Sequence, residues 1–267
     1  MTKRKCWAEH YSRCSDDISG EHIVSKCLFS NYVTVIGFNW CKDQEKQIGI
    51  NSMVANCLCS KHNSELSELD IAAFDVWNVL REFCRLNNVR EPRKKKRWNK
   101  AVIKSDATKF ERWCFKTAVN ILSSGSYMTV SDWNPPEHLV RFIFGKEKLP
   151  QGCGIGSYAA AGDEIKSADT FAFSALSAND GRVIFGGLIE FRGLKIVLSW
   201  NTPVNDLTIP LRFIMSDMRK AVRYPFFERI DHKGTNVTIV LDWSGKYDNE
   251  KSRFIKSLRK RYKPGCP

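Results

Sequence analysis

Cysteine and histidine are concentrated in the N-terminal part of the chain, and this distribution constrains the fold more than any other feature. The first 70 of the 267 residues contain six of the ten cysteines and three of the five histidines. Thiolates and imidazoles are the preferred ligands of zinc, and structural zinc sites usually contain four of them. The N-terminal part of the chain is therefore predicted to contain a metal-stabilised module.

The expected compartment limits what the thiols can do. Residues 1–5 are basic and are followed by Cys6 and Trp7 rather than by an apolar run, so we expect no export signal. No stretch approaches the roughly 18 apolar residues of a membrane helix. We therefore expect a cytoplasmic protein that does not engage a membrane. Because disulfide frameworks do not persist in a reducing compartment, the cysteines are predicted to be metal ligands, small buried side chains, or both.

Two short pairs of potential zinc ligands lie on separate segments. Cys6 and Cys14 are separated by seven residues, and Cys59 and His62 by two. The second spacing is typical of zinc sites, whereas the first is wider than the usual two to four residues. The pattern alone therefore leaves buried, unligated thiols as an alternative. Three further thiols could also replace a ligand of the first pair: Cys27, Cys41 and Cys57.

A glutamate-histidine pair and an asparagine complete an ordered pattern. Glu21-His22-Ile23 lies between the ligand pairs, and Asn63 follows His62 directly. Two cysteines, an acidic residue joined to His-Ile, and a C-x2-C-N that opens a helix are the layout of HNH nucleases. The first 75 residues or so thus resemble the HNH (ββα-metal) endonuclease family. The chain departs from this pattern in the long segment 27–50 and in its C-x2-H spacing.

The resemblance implies a role for each residue of the pattern. His22 would be the general base that activates water, because a neutral imidazole is available near pH 7. Glu21 and Asn63 would bind a catalytic Mg²⁺ or another divalent cation, since hard cations prefer oxygen ligands. A further asparagine would brace the histidine-bearing loop, and Asn56 is preferred over Asn51 because it lies just before a predicted strand. The resemblance also implies a structural Zn²⁺, held by Cys6, Cys14, Cys59 and His62.

Hydrophobic periodicity predicts helices first and strands later in the chain. Apolar residues at spacings of three and four predict helices at 71–88 and 104–122. The glycine-rich residues 152–156 are predicted to form a turn, since they lack the lysine of a phosphate-binding loop. Strands are predicted at 170–176, 182–191, 194–200 and 236–243, with a hairpin across Arg192-Gly193.

These elements predict an α+β protein in three segments. Residues 1–88 would form a zinc-stapled ββα-metal nuclease module, and residues 89–124 a basic linker and helical connector. Residues 125–267 would form an α+β domain of unknown role, with an antiparallel sheet and a basic tail.

The charge of the chain favours a polyanionic partner. The formal net charge is +13 and the pI about 9.3, which favours nucleic acid and leaves an acidic membrane surface as the rival. Lys and Arg are densest in residues 90–100 and 256–263, although the first run is also compatible with a solvated linker. The side chains expected to contact phosphates are Arg93, Lys94, Lys95, Lys96, Arg97, Lys100, Arg259, Lys260 and Arg261.

These observations predict a metal-dependent endonuclease that hydrolyses phosphodiester bonds, with DNA as the favoured substrate. Stand-alone nucleases of this family resemble restriction or phage-defence effectors, so the resemblance also implies partner proteins of a defence system. Two other classes stay open. One is a zinc-containing nucleic-acid-binding protein without catalysis, and the other is an interaction protein whose C-terminal sheet senses a partner.

Overall fold

Three β-sheets and five α-helices build the described part of the chain. The computed structural model describes residues 6–29, 31–41, 44–93, 98–125, 133–150, 153–157, 169–178, 183–201, 229–232 and 236–262. The strands are β1 Ile18–His22, β2 Tyr32–Ile36, β3 Lys46–Gly49, β4 Val54–Cys59, β5 Ala101–Asp106, β6 Gly154–Ser157, β7 Thr170–Ala178, β8 Val183–Phe191, β9 Leu194–Ser199, β10 Arg229–His232 and β11 Val237–Asp242. The helices are α1 Ser60–Glu65, α2 Ser67–Arg90, α3 Thr108–Ser123, α4 Glu137–Ile143 and α5 Arg253–Arg261.

The smallest sheet contains the glutamate-histidine pair. β1 pairs antiparallel with β4, so that Ile18 lies opposite Cys59 and His22 opposite Val54. The register shifts between Ser19 and Glu21, so the pairing of the two strands is irregular at that point. α1 begins at the residue after β4. The order is therefore two antiparallel strands followed directly by a helix.

The largest sheet has six strands in the order β3-β2-β7-β8-β9-β6. It is mixed, because β2 and β7 are parallel while the other neighbours are antiparallel. The predicted hairpin is confirmed: β8 and β9 are joined by Arg192 and Gly193, whose φ angles are 51° and 77°. Two consecutive left-handed residues are the geometry of a tight two-residue hairpin, and glycine adopts it readily.

Two local predictions are wrong. Residues 154–157 form β6 rather than a turn, because they pair with the edge of β9 and Ile155 is buried in the core. Tertiary pairing here outweighs the weak strand preference of glycine. Residues 104–106 belong to β5 rather than to a helix, since Ile103 and Ser105 are buried while Val102 is exposed, which is the period of a strand.

Strand pairing joins the three predicted segments into one core. β2, from residues 1–88, pairs with β7, and β5, from residues 89–124, pairs with β11 in the sheet β10-β11-β5. Trp77, Trp113 and Trp200, one from each segment, belong to a single cluster of buried side chains. The three predicted segments therefore share one hydrophobic core. Within the described residues, no helix combines the length and apolar character needed to cross a lipid bilayer.

Candidate metal centre and its surroundings

The four predicted zinc ligands converge on one point. The ligand atoms of Cys6, Cys14, Cys59 and His62 all lie within 4.8 Å of one another. The three sulfur atoms lie 3.3, 3.8 and 3.3 Å from Nδ1 of His62. Zinc–ligand bonds of about 2.3 Å to sulfur and 2.0 Å to nitrogen, at the tetrahedral angle, place these atoms about 3.6 Å apart. The cluster therefore has the composition and dimensions of a tetrahedral zinc site.

Local structure explains how two distant segments meet. Cys59 ends β4 in an extended conformation, and α1 carries His62 one turn later. The first segment is fixed to β4 by Trp7, whose backbone N–H donates to the carbonyl of Cys57 at 3.0 Å. The indole N–H of Trp7 donates to Asn120 Oδ1 on α3 at 2.9 Å. Both ligand pairs are thus attached to the same strand.

The protonation of the cluster suits a cation. Nε2 of His62 lies 2.8 Å from the Ser12 hydroxyl, which leaves Nδ1 to face the three sulfur atoms. Burial lowers the pKa of His62 and so favours the neutral, ligating form. Burial also acts to raise the pKa of Cys59, but hydrogen bonds to the His62 backbone and to Ser15 outweigh it and bring this pKa to about 7. Burial raises the pKa of Cys6 to about 12, so a metal ion would be needed to make it a thiolate.

The alternative thiol ligands have other neighbours. The Cys27 thiol donates to the carbonyl of Asp70, that of Cys41 to the carbonyl of Phe38, and that of Cys57 to Asn120 Oδ1. Among the residues that the structure describes, Cys6, Cys14, Cys59 and His62 are the one group of at least three His, Cys, Asp or Glu ligands that could hold a metal.

Glu21, the predicted ligand of the catalytic cation, lies in a buried ion cluster instead. Its Oε1 is 2.8 Å from Nζ of Lys116, which also lies 2.9 Å from Oδ2 of Asp70 at the start of α2. Asn120 donates to the same oxygen of Glu21 at 3.4 Å. Burial alone would lower the pKa of Lys116, but the charges of Asp70 and Glu21 raise it. The Glu21 carboxylate is therefore neutralised by an ammonium group in this arrangement.

The other predicted catalytic residues lie around the end of β1. His22 is half-buried, burial lowers its pKa, and its Nε2 is buried with no hydrogen-bond partner among the residues that the structure describes. Asn63 donates from Nδ2 to the Ser19 hydroxyl on β1 at 2.9 Å. Asn56, on β4, is exposed. Glu21 lies on β1 and binds Lys116, whereas Asn63 reaches β1 from α1 and binds Ser19. Within the described residues, no hydrogen bond joins the side chains of Glu21 and Asn63.

The residues around the Glu21 carboxylate were not predicted from the sequence. Asp70, Lys116 and Asn120 lie far from it in the chain, and Lys116 stands in the apolar stretch 113–119 of α3. Lysine is almost never fully buried unless it is paired. A lone lysine on the buried face of a predicted helix was the one available signal for this cluster.

Replacing Lys116 with methionine is expected to lower the free energy of unfolding by about 3–5 kcal/mol, because the Glu21 carboxylate is left buried and uncompensated. Urea denaturation measures this change. The matched control is Lys109→Met on the same helix, where an exposed pair with Glu68 contributes about 0–1 kcal/mol. Adding Glu21→Gln to Lys116→Met should recover part of the loss. Equal stabilities for the Lys109 and Lys116 variants would refute a structural ion cluster.

The predicted phosphate-contacting residues fall into three groups. Arg93, Lys100 and Lys260 are exposed, whereas residues 94–97 (Lys94, Lys95, Lys96 and Arg97) lie outside the described residues. Arg259 and Arg261 are engaged within the protein. Arg259 binds both oxygens of Asp75 at 2.6 and 2.7 Å, and Arg261 binds Glu82 at 2.7 Å. These two guanidinium groups hold α5 against α2.

Comparison with known proteins gives no relative. No protein-family model, no curated protein and no solved structure matches the chain. Its function is therefore inferred from its own residues.

Proposed function

We propose that this protein is a zinc-stapled nuclease that hydrolyses phosphodiester bonds in DNA, with His22 as the general base. The observation that supports it most strongly is the meeting of Cys6, Cys14, Cys59 and His62 within 4.8 Å, beside the strand pair that carries His22. The resemblance to HNH nucleases predicts that these four residues form one structural zinc site. A chance cluster of thiols would not be expected to contain the same four residues.

The zinc ion would act on the fold rather than on the substrate. When bound, it would tie the N-terminal segment to the junction of β4 and α1 through four ligands. β4 in turn pairs with β1, so the ion supports the strand that ends in His22. Because a structural ion of this kind contributes its binding energy to folding, the position of His22 would depend on zinc.

His22 has the properties of a proton acceptor. Burial lowers its pKa, so its imidazole is neutral near pH 7, and within the described residues its Nε2 has no hydrogen-bond partner that would compete for a proton. In the proposed step, a water oxygen forms a bond to phosphorus and gives its proton to the imidazole. The bond between phosphorus and the leaving oxygen breaks, and the leaving oxygen takes the electron pair of that bond and then a proton from solvent. Such general-base assistance typically contributes about 10²–10⁴-fold in rate.

The proposed catalytic cation needs oxygen ligands that are free to bind it. Glu21 and Asn63 offer the oxygen ligands that Mg²⁺ prefers, but Glu21 is bound to Lys116 and Asn63 to Ser19. The residues therefore do not form a cation site in this arrangement, and Glu21 would have to exchange its ammonium partner first. This observation favours a second candidate function, a zinc-containing DNA-binding protein without catalysis.

A plasmid-cleavage titration separates the two functions. We expect the zinc-loaded protein to cut plasmid DNA only when Mg²⁺ or Mn²⁺ is added, and Asn63→Ala to need a higher cation concentration for half-maximal cleavage. Loss of zinc must be excluded by elemental analysis of both proteins. Binding of the plasmid with no cleavage at any cation concentration would support the non-catalytic function instead. A role as a restriction or phage-defence effector, with partner proteins, stays a prediction from the resemblance.

A further inference from the structure

Three basic side chains lie in a row along the outer face of α5. Arg253, Lys256 and Lys260 are three and four residues apart, so they share one side of the helix, and all three are exposed. The opposite side carries Ile255 and Leu258, which are buried in the core. We call Arg253, Lys256 and Lys260 the basic row.

The helix under the basic row is firmly held. Ser252 caps its first turn, with the hydroxyl accepting from the backbone N–H of Ile255 at 3.3 Å. Arg259 binds Asp75 on α2 and also Glu250, the latter at 2.7 Å. Arg261 and Tyr262 both bind Glu82 on α2. The basic row therefore projects from a fixed surface, and little ordering is needed when a partner binds.

The charges of the basic row are available to a partner. In the described part of the chain, none of its three side chains forms an ion pair. Glu250, an acidic group close to Lys256, is already held by Arg259. The row thus differs from the neighbouring Arg259 and Arg261, which form ion pairs with acidic side chains of α2.

The chemistry of the row fits a rigid, highly charged anion. Seven residues of helix extend about 10.5 Å, a length over which a DNA duplex carries about six charges. An acidic membrane fits less well, since a helix that binds a membrane surface inserts its apolar side chains. In α5 the apolar side chains Ile255 and Leu258 already pack inside the protein, and Phe254 is the single large apolar side chain that the helix leaves exposed.

We infer that the basic row of α5 is a docking surface for the phosphate backbone of duplex DNA. The inference rests on the proposed function, because DNA is the proposed substrate, and it locates where the duplex is held. Phosphate contacts position a duplex without reading its sequence. The row would therefore hold DNA of any sequence, while cleavage takes place at His22.

The test is the salt dependence of DNA binding in the absence of divalent cations. Fluorescence anisotropy with a short labelled duplex compares the wild type with the variant Arg253→Gln, Lys256→Gln, Lys260→Gln. The matched control is Lys146→Gln, Lys148→Gln, Lys246→Gln, which changes three exposed lysines elsewhere. Both variants have a formal net charge of +10 in place of +13, so only the location of the lost charges differs.

Each phosphate contact contributes about 0.9 to the slope of log affinity against log salt concentration. We therefore expect the slope to fall by about 2–3 in the variant of the basic row and to stay near the wild-type slope in the control. Equal slopes in all three proteins, or equal losses in both variants, would overturn the docking surface. Cleavage that depends on His22 would still support the proposed function in that case. If the wild type binds vesicles of phosphatidylserine and phosphatidylcholine through the basic row and does not bind the duplex, both the docking surface and the proposed function are overturned.

Discussion

Replacing Cys59 with serine is expected to remove zinc from the protein and to unfold the segment around β1, β4 and α1. Cys59 lies 3.3 Å from Nδ1 of His62, and its pKa of about 7 is the lowest of the three thiols in the cluster. Binding at structural zinc sites releases about 10–16 kcal/mol in small zinc-finger peptides, and that energy is folding energy. Elemental analysis should find about one zinc per wild-type chain and close to none in the variant.

Cys57→Ala is the matched control for this prediction. Cys57 lies on the same strand and is also buried, but its thiol contacts Asn120 instead of the cluster. This control should keep its zinc and lose only the stability expected for a small change in the core. Removal of zinc from the wild type by a chelator should reproduce the melting curve of Cys59→Ser. If Cys59→Ser keeps one zinc per chain, or the metal-free wild type melts unchanged, the four residues are not a structural zinc site.

The cluster of Cys6, Cys14, Cys59 and His62 was predictable because its residues lie in short segments with recognisable spacing. Zinc accepts few ligand types, and a C-x2-H spacing at a strand end places Cys59 and His62 side by side. The wider pair, Cys6 and Cys14, needed the family pattern as well, since Cys57 was an equal candidate by residue type. The structure separates them through Trp7, which fixes the first segment to β4.

The ion pairs around the candidate site could not be read from local patterns. Lys116 joins Glu21 and Asp70 across three elements, and residue spacing carries no information on such contacts. The basic sequence of α5 predicted DNA contacts for Arg259 and Arg261, yet their partners are Asp75 and Glu82, acids on the buried side of α2. Charged residues that interrupt an apolar helix face are the sequence signal that such internal partners exist.

The topology was predicted only where pairing is local. The β8–β9 hairpin follows from a two-residue turn, whereas the parallel pairs β2–β7 and β5–β11 join distant segments. Parallel strands need long connections, so no short turn motif in the sequence predicts which of them pair. For this reason the segment 27–50, an insert in the family pattern, was not expected to supply two strands of the largest sheet.

Replacing His22 with alanine is expected to slow DNA cleavage by about 100- to 10,000-fold, which corresponds to about 2.7–5.4 kcal/mol in the activation barrier. The variant removes the proposed proton acceptor and leaves the zinc ligands and the basic row of α5 untouched. Zinc content, thermal stability and DNA affinity without divalent cations should therefore match the wild type. A structural role for His22 would instead lower stability and activity together.

His10→Ala is the control for this last prediction. His10 is exposed on the N-terminal segment and pairs with Glu9, its neighbour in the chain, so its loss should leave cleavage at the wild-type rate. Single-turnover cleavage of plasmid DNA by the three proteins, at equal zinc content and saturating cation, gives the comparison. A His22→Ala protein that cuts as fast as the wild type would show that another group accepts the proton. His138 would be a poor substitute, because its Nε2 is already hydrogen-bonded to the carbonyl of Trp200 at 2.7 Å. Within the described part of the chain, the absence of a partner for Nε2 distinguishes His22 from His62 and His138, and the substitution tests this feature.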